Sequence, residues 1–545
     1  MKKKILIIGC GLSGLSAAVT VCENGACALL VSPYTSERAQ SVMAAGGMNA
    51  ALDRQGLGDT PKIHCEDTMK GGAEIADPEA VLAMCEAAPE ITLWMERLGT
   101  VFSLGEDGRP RQRIMAGHTY PRTVFAGAST GKQLVTALVR RARVLEADGV
   151  LERRTNHYFL KLLLDAKGRC GGAILWDELN KEVISLRADA VILASGGQNL
   201  IFGKTTGTIS CDGTAAAVAF TQGARLKNLE MIQYHPTTIE TPSKRMLITE
   251  AARGEGGRLY YLEESGKRVY FMEDKYGEKG NLKPRDVVSK EMYLTGKQVY
   301  LDITFLGEKK IEERLSEVSK LCKTYIHLDP SKEPIPVVPC IHFFMGGLAV
   351  SHNHETTIPN LYAVGECASI YHGANRLGGN SLLAALYSGR VAAKDAVKRS
   401  GFAVEDEDRQ RDACREEFDG CHSKDSHFPS MYLLNNLSEI MNGKFGIVRN
   451  GQDLESGIED LDFFLQICRK IKFDALIDPY RNYAIKYMLL MGKAILLSAQ
   501  ARQESRGAHN RADYPETDPA FCAASYCTYA DGEIRVSFEK DGDHA

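Results

Sequence analysis

Five side chains in separate segments of this chain share one chemical aptitude, the binding of carboxylates. His235 lies in Gln233-Tyr234-His235-Pro236-Thr237. Thr249 opens Thr249-Glu250-Ala251-Ala252-Arg253-Gly254-Glu255-Gly256-Gly257, and Arg285 follows Pro284. His342 precedes Phe343-Phe344-Met345-Gly346-Gly347, and Arg376 sits in His372-Gly373-Ala374-Asn375-Arg376-Leu377-Gly378-Gly379-Asn380-Ser381. Arginine presents five donors in a fixed fork that matches a carboxylate. Imidazole and hydroxyl groups add donors, and the neighbouring glycines let backbone approach a ligand closely. Each histidine alone can equally be structural. Jointly, two histidines, Thr249, Arg285 and Arg376 form a set suited to a small dianion. Their spacing is not that of a metal site.

The elements that must position this set are legible around it. Arg376 falls in residues 365–381, between a strand-like run at 360–364 and a helix-like run at 382–397. Asn380 is a good N-cap, and the free N–H groups after it attract partial negative charge. An electron-rich ring would meet a helix N-terminus here. Near the chain start, residues 3–8 read as a buried parallel strand. Gly9-Cys10-Gly11-Leu12-Ser13-Gly14 follows, then an alanine-rich helix and a second strand at 27–31. In that context G-x-G-x-x-G predicts a dinucleotide, with its pyrophosphate at the helix start. The second strand ends in Ser32, not an acid that would hold a ribose diol, which weakens NAD and leaves FAD open.

Gly46-Gly47 suits another close backbone approach, at a flavin ring or in a simple turn. Residues 60–165 read as mainly helical, interrupted by a loop at 105–130. That loop carries Arg109, Arg111, Arg113, His118 and Arg122, which line an anion site or are solvated. The strand at 188–194, with Ser195-Gly196-Gly197 and Asp212-Gly213 after it, returns to the dinucleotide fold. Beyond 397 the pattern is helical at 405–418, 454–470 and 480–504, with a β-like tail at 524–538.

With 545 residues, 44% of them hydrophobic and 25% charged, the chain exceeds one core and predicts roughly three or four domain-sized units. A net charge of −4 gives no footprint for nucleic acid. Neither a signal peptide nor a membrane-spanning run is read, so a cytoplasmic protein is expected, able to dock on a membrane-bound partner. The 15 cysteines include no Cys-x-x-Cys, which speaks against an iron–sulfur cluster or structural zinc.

Taken with Glu504-Ser505-Arg506-Gly507-Ala508-His509, these motifs resemble the flavoprotein subunit of fumarate reductase and succinate dehydrogenase, with L-aspartate oxidase a close relative. The resemblance extends to about residue 515. It implies an α/β fold: a Rossmann-type FAD-binding domain (1–231 and 340–400), interrupted by an α+β capping domain (232–339). A C-terminal helical domain (401–515) and a tail (516–545) follow. It further implies hydride transfer from FAD N5 to fumarate with Arg285 as proton donor. Glu250 and Arg253 would form its proton relay. His235 and Thr249 would hold one substrate carboxylate, His342 and Arg376 the other. FAD contacts are expected from Gly9, Gly11, Ser13, Gly14, Ser32, Ala45, Gly46, Gly47, Gly196, Asp212, Glu366, Asn380, Ser381 and Leu382.

Three departures from the family pattern matter. Gln40 stands where many relatives link FAD covalently through histidine, so non-covalent FAD is expected. That leans toward fumarate reduction. Ala45 replaces a Gln or Glu, and Met115 a phenylalanine that faces the substrate. Electrons would arrive through a separate iron–sulfur subunit, since no cysteine motif here holds a cluster. The alternative is L-aspartate oxidase, which makes iminoaspartate; length and non-covalent FAD fit it, but Met345 and Gly378-Gly379 do not. A non-catalytic flavin-binding subunit would have no need of the dianion set.

Overall fold

The computed structural model describes residues 2–242 and 245–540. A five-stranded parallel sheet organises it, in the order Leu361–Ala363, Ala190–Leu193, Lys4–Ile8, Cys27–Val31 and Leu151–Arg154. Ile5 pairs with Ala190 on one side and Ala28 on the other. Four of its strands are apolar runs because both faces are covered, whereas the edge strand Leu151–Arg154 is mostly charged and partly exposed. Alternate residues feed different cores: Ile5 and Ile7 join the helices Leu12–Glu23, Thr130–Ala147 and Asn380–Ala396, whereas Leu6 and Ile8 join the opposite cluster. At the strand ends Gly9 donates to Val31 O at 2.8 Å and Ala194 to Ile8 O at 2.7 Å. This crossing is so tight that a Cβ on Gly9, where φ is +113°, would lie 2.2 Å from Ala194 O.

A six-stranded antiparallel sheet comes next in importance, ordered Arg245–Leu247, Ile232–Glu240, Ile335–Phe344, Val299–Asp302, Arg258–Leu262 and Arg268–Val269. It has its own apolar core around Ile239, Leu259, Val288, Leu301 and Val337. The pairing of Ile232–Glu240 with Ile335–Phe344 is irregular twice. Gln233 pairs with Phe343 and Tyr234 with Ile341, so His342 is the extra residue of a bulge. His235 pairs with Cys340 but Thr238 with Val338, a second bulge on the other strand. Pro236 and Pro339 sit at that second irregularity; neither has an N–H for the ladder.

Helices Glu407–Gly420, Ser430–Ile440, Gly451–Lys470 and Pro479–Ala501 follow. The last is capped by Asp478, which accepts from Arg481 N–H at 3.0 Å. It is buried on most of its circumference, which explains its weak amphipathic signal. Among the described residues no helix is long and apolar enough to cross a membrane.

The helical expectation fails at its C-terminal end, before residue 165. Gly149 and Asn156 take positive φ and end the helix and the first strand. The chain between and after them forms strands Leu151–Arg154 and His157–Leu164, the latter pairing with Cys170–Asp177. The β-like tail does form strands, Ala524–Ala530 and Glu533–Glu539, turning at Asp531-Gly532, where both φ values are positive. It is no free tail: Cys527 pairs with Leu226, completing a sheet with Gly347–Ala349 and Ala368–Ser369.

Candidate active site

One continuous cavity joins the glycine turn to the dianion set. Its wall includes Gly9, Gly11, Ser13, Ser32, Ala45, Gly46, Gly47, Gly196, Asp212, Glu366, Ser381 and Leu382. It continues to His235, Thr249, Glu250, Arg285, His342 and Arg376. Gly14, Arg253 and Asn380 are absent from that wall. Gly14 packs its helix onto the turn, since a Cβ there would meet Gly9 O at 2.0 Å.

At the dianion end the two bulges bring Gln233, His235 and His342 together; the two imidazoles meet edge to face, 5.3 Å between centroids. Arg285 is the first residue of the helix Arg285–Leu294. It donates from Nε and Nη2 to Glu250 Oε2 at 3.1 and 2.8 Å. Arg253 Nη2 lies 3.7 Å from the other Glu250 oxygen and its Nη1 donates to Asn281 O at 2.6 Å. Gln233 Oε1 accepts from Arg285 Nη1 at 3.1 Å and from Arg376 Nη2 at 3.0 Å. The Gln233 amide nitrogen donates to Asn375 Oδ1 and Arg376 O at 2.7 and 2.8 Å. One amide thus spans two guanidiniums. Arg376 also lies over the Phe343 ring at 4.6 Å.

The electrostatics follow from this packing. Burial works against Glu250 ionising, but Arg285 and Arg253 more than offset it and hold the carboxyl at about 2. Burial, then Arg285, pulls Arg376 down to about 9. His235 and His342 are pushed well below the usual imidazole range, by burial first and Arg285 next. Both are therefore neutral. His235 Nδ1 accepts from Thr237 N–H at 3.3 Å, so its proton sits on Nε2, a donor for a ligand. His342 Nδ1 is held by Thr206 Oγ1 at 2.9 Å. Arg253 and Arg285 share Glu250, and Arg376 stands beside them and feels Glu366 as well, so guanidiniums outnumber fully ionised carboxylates in this buried corner.

At the other end, Gly11 gives the helix Leu12–Glu23 no side-chain cap and its first turn holds no acid, with only Leu12 N–H taken up, by Ser41 Oγ at 3.2 Å, which suits a pyrophosphate. Ser32 Oγ lies 3.0 Å from Cys10 Sγ. Glu366 Oε1 accepts from Phe344 N–H at 3.0 Å, and burial raises its carboxyl to about 7. The long cavity, open glycine turn and second helix N-terminus at Ser381 fit FAD. Comparison with known proteins agrees. The FAD binding domain family matches residues 4–382, and the fumarate reductase flavoprotein C-terminal family matches residues 434–541. The succinate dehydrogenase flavoprotein subunit of Bacillus subtilis is 36% identical over 539 residues, covering 94% of this chain and 92% of its own.

The chain belongs to the fumarate reductase and succinate dehydrogenase flavoprotein family. The homologous chain of the CoM/CoB fumarate reductase of Methanothermobacter marburgensis is 35% identical, with 94% and 95% of the two chains covered. A variant of Escherichia coli quinol fumarate reductase has the same fold at a TM-score of 0.91 and 28% identity, over 99% and 97% of the chains. This flavoprotein is thus an FAD-dependent catalytic subunit.

Some residues of this flavoprotein stand differently from expectation. Asn380 is not the N-cap: Gly379 is, at φ +83°, and Asn380 is the first helical residue. Its side chain is held away from the helix end, accepting from Asn49 Nδ2 at 2.7 Å, bonding His64 Nε2 at 2.8 Å and donating to Thr68 at 2.9 Å. Arg122 meets neither solvent nor a free anion; it is fully buried between Asp59 and Asp67, 2.9 Å from each. Arg113 Nη2 donates to Ala45 O at 3.1 Å and also to Gly46 O, and stacks on Phe125. His118 bonds Gly378 O at 2.9 Å. Met115 does reach the cavity, beside Gly46 and Gly378. Gln233 and Asn375 stood inside the motifs without an assigned role, and Thr206 carried no sequence signal at all.

Proposed function

We propose that this flavoprotein interconverts fumarate and succinate and works mainly toward succinate. The observation that carries the reading is the pair of guanidiniums, Arg285 and Arg376, held together on Gln233 and suited to a C4-dicarboxylate dianion, beside two neutral imidazoles. When bound, FAD supplies the hydride at N5. Arg376 and His342 hold one carboxylate; His235, through Nε2–H, and Thr249 hold the other. Anchoring both ends turns one carboxylate out of the alkene plane and withdraws electrons from it. Arg285 gives its proton to the second alkene carbon and recovers one through Glu250, a carboxylate at rest that must first take a proton up and then pass it across the 2.8 Å contact. Arg253, fully buried behind Glu250, resupplies that carboxylate. Residues 232–339 act as a cap that closes over the site and excludes water.

Gln40 lines the cavity and has no nucleophile or leaving chemistry for a flavin link, which supports non-covalent FAD and the reductive direction. Electrons come from a separate iron–sulfur protein, through which the subunit docks at the inner face of the membrane. Anaerobic assay of the purified flavoprotein tests this. Fumarate should oxidise reduced viologen; in a separate aerated assay L-aspartate should yield no peroxide; and acid precipitation should leave all flavin in the supernatant. Arg285→Ala should keep FAD and lose about 10²–10⁴-fold in turnover. Aspartate-dependent peroxide would instead identify an iminoaspartate-forming oxidase.

A further inference from the structure

The segment Glu504-Ser505-Arg506-Gly507-Ala508-His509 buries charge that the proposed reaction does not use. Glu504 is fully buried and takes Arg502 Nη1 at 2.9 Å and Arg506 Nε and Nη2 at 2.7 and 3.0 Å. Arg502 Nε reaches Glu230 Oε1 at 2.7 Å, and Ser525 holds the other Glu230 oxygen at 2.7 Å. Arg449 ties Glu230 O at 2.9 Å to His509 Nδ1 at 2.6 Å. Removing this many charges from water is costly, and apolar packing would stabilise the region as well or better. What such a network supplies is one fixed register.

The register it fixes is that of the substrate clamp. Ala508 N–H donates to Ala374 O at 2.9 Å, while Ala374 N–H donates to Gly72 O at 2.8 Å. Arg506 Nη1 meanwhile holds Ala73 O at 3.1 Å. The turn bearing His372, Asn375 and Arg376 is therefore gripped from both sides. Gly507 lies against it so closely, at φ +54°, that a Cβ would stand 2.7 Å from Ala374 Cβ and 2.8 Å from its carbonyl oxygen. On the other flank Glu230 stands three residues before Gln233, and Met231 packs with Met345, Ala374 and Ala508. We propose that residues 502–509 are a positioning element that sets Arg376 and Asn375 against Gln233, so that the C-terminal segment tunes dianion affinity without touching the ligand. The kinetic part of this inference rests on the fumarate–succinate reading; the structural part does not.

Gly507→Ala in the full FAD-loaded chain tests both. Hydrogen exchange in a peptide covering residues 370–378 should rise while one covering residues 9–20 stays unchanged. KM for fumarate should rise about tenfold to a hundredfold with kcat within about twofold. Arg506→Lys, which keeps the charge but loses the fork to Glu504, should do the same and serves if Gly507→Ala does not fold. Unchanged exchange at 370–378 in a folded variant overturns the proposal. So does a uniform rise across the chain, or a fall in melting temperature with KM unaltered. If the wild-type protein has no fumarate turnover, the functional reading fails, and the exchange measurement still decides the positioning role.

Discussion

Gln233 shows how much one neutral side chain can decide. Its carbonyl has two lone pairs, and each takes a guanidinium, Arg285 at 3.1 Å and Arg376 at 3.0 Å. Both amide protons are used as well. The amide oxygen must face the two cations, because the NH₂ group could only repel them. Gln233→Glu would put a carboxylate between the arginines and offset part of their positive charge. It would also turn an acceptor toward Asn375 Oδ1 and Arg376 O. We expect a dicarboxylate to bind about 10- to 100-fold more weakly, the equivalent of about one charge-assisted hydrogen bond. Titration of oxidised enzyme with succinate, read in the flavin absorbance, measures this. An unchanged dissociation constant would place Gln233 outside the dianion's field. The role was not legible in the sequence, although the motif was: the partners lie 52 and 143 residues away, and glutamine has no charge to announce it.

At the scale of elements, the helix Asn380–Ala396 is aimed by the glycine before it. Gly379 takes φ +83°, and a Cβ there would stand 2.1 Å from Asn49 Oδ1. Asn49 in turn donates to Gly378 O and Asn380 Oδ1, both at 2.7 Å, and accepts from Thr123 at 2.6 Å. Gly379→Ala should therefore shift the helix start, lower the flavin-to-protein ratio and reduce the melting temperature together. Full flavin occupancy with a wild-type melting temperature would show that the turn tolerates a side chain. Elements are legible in the sequence to the extent that their signals are local. Residues 3–31 declare a strand, a glycine turn and a helix within one stretch, so the dinucleotide end was legible. Asn380 was misread because a capping residue type beside a glycine is ambiguous until the backbone is seen. The bulge that presents His342 needed knowledge of the partner strand. The strands at 151–164 lay hidden because Gly149 and Asn156 break the helical pattern without signalling the type of element after each break.

Across the whole molecule, the parallel sheet separates two large cores, and the polar groups buried near them include many histidines. Burial lowers His64 to about 3, His118 to about 4, His354 to about 4 and His372 to about 3. It also drives His235, His342 and His509 well below the ordinary value. In the unfolded chain each titrates near ~6.5. Between those values the unfolded chain binds protons that the folded one refuses. Stability is therefore complete above ~6.5 and declines as pH falls, by up to about 1.4 kcal/mol per pH unit for each histidine. Glu250, held at about 2, adds to the loss only below the ordinary glutamate range. Glu366, raised to about 7, acts in the opposite sense, since its folded form keeps a proton that the unfolded form sheds; buried Asp212 and Asp286 oppose likewise. The histidines outnumber these groups, so the melting temperature should climb from pH 5 to about 7 and then level. His354 tests the cause away from the substrate: it is fully buried, bonding Ala363 O at 2.9 Å and the Tyr371 hydroxyl. His354→Gln, which cannot titrate, should make the acid limb of the profile shallower by one histidine's share even if it lowers the plateau. A profile that is flat, or that falls toward neutral pH, would mean that these imidazoles do not control acid stability.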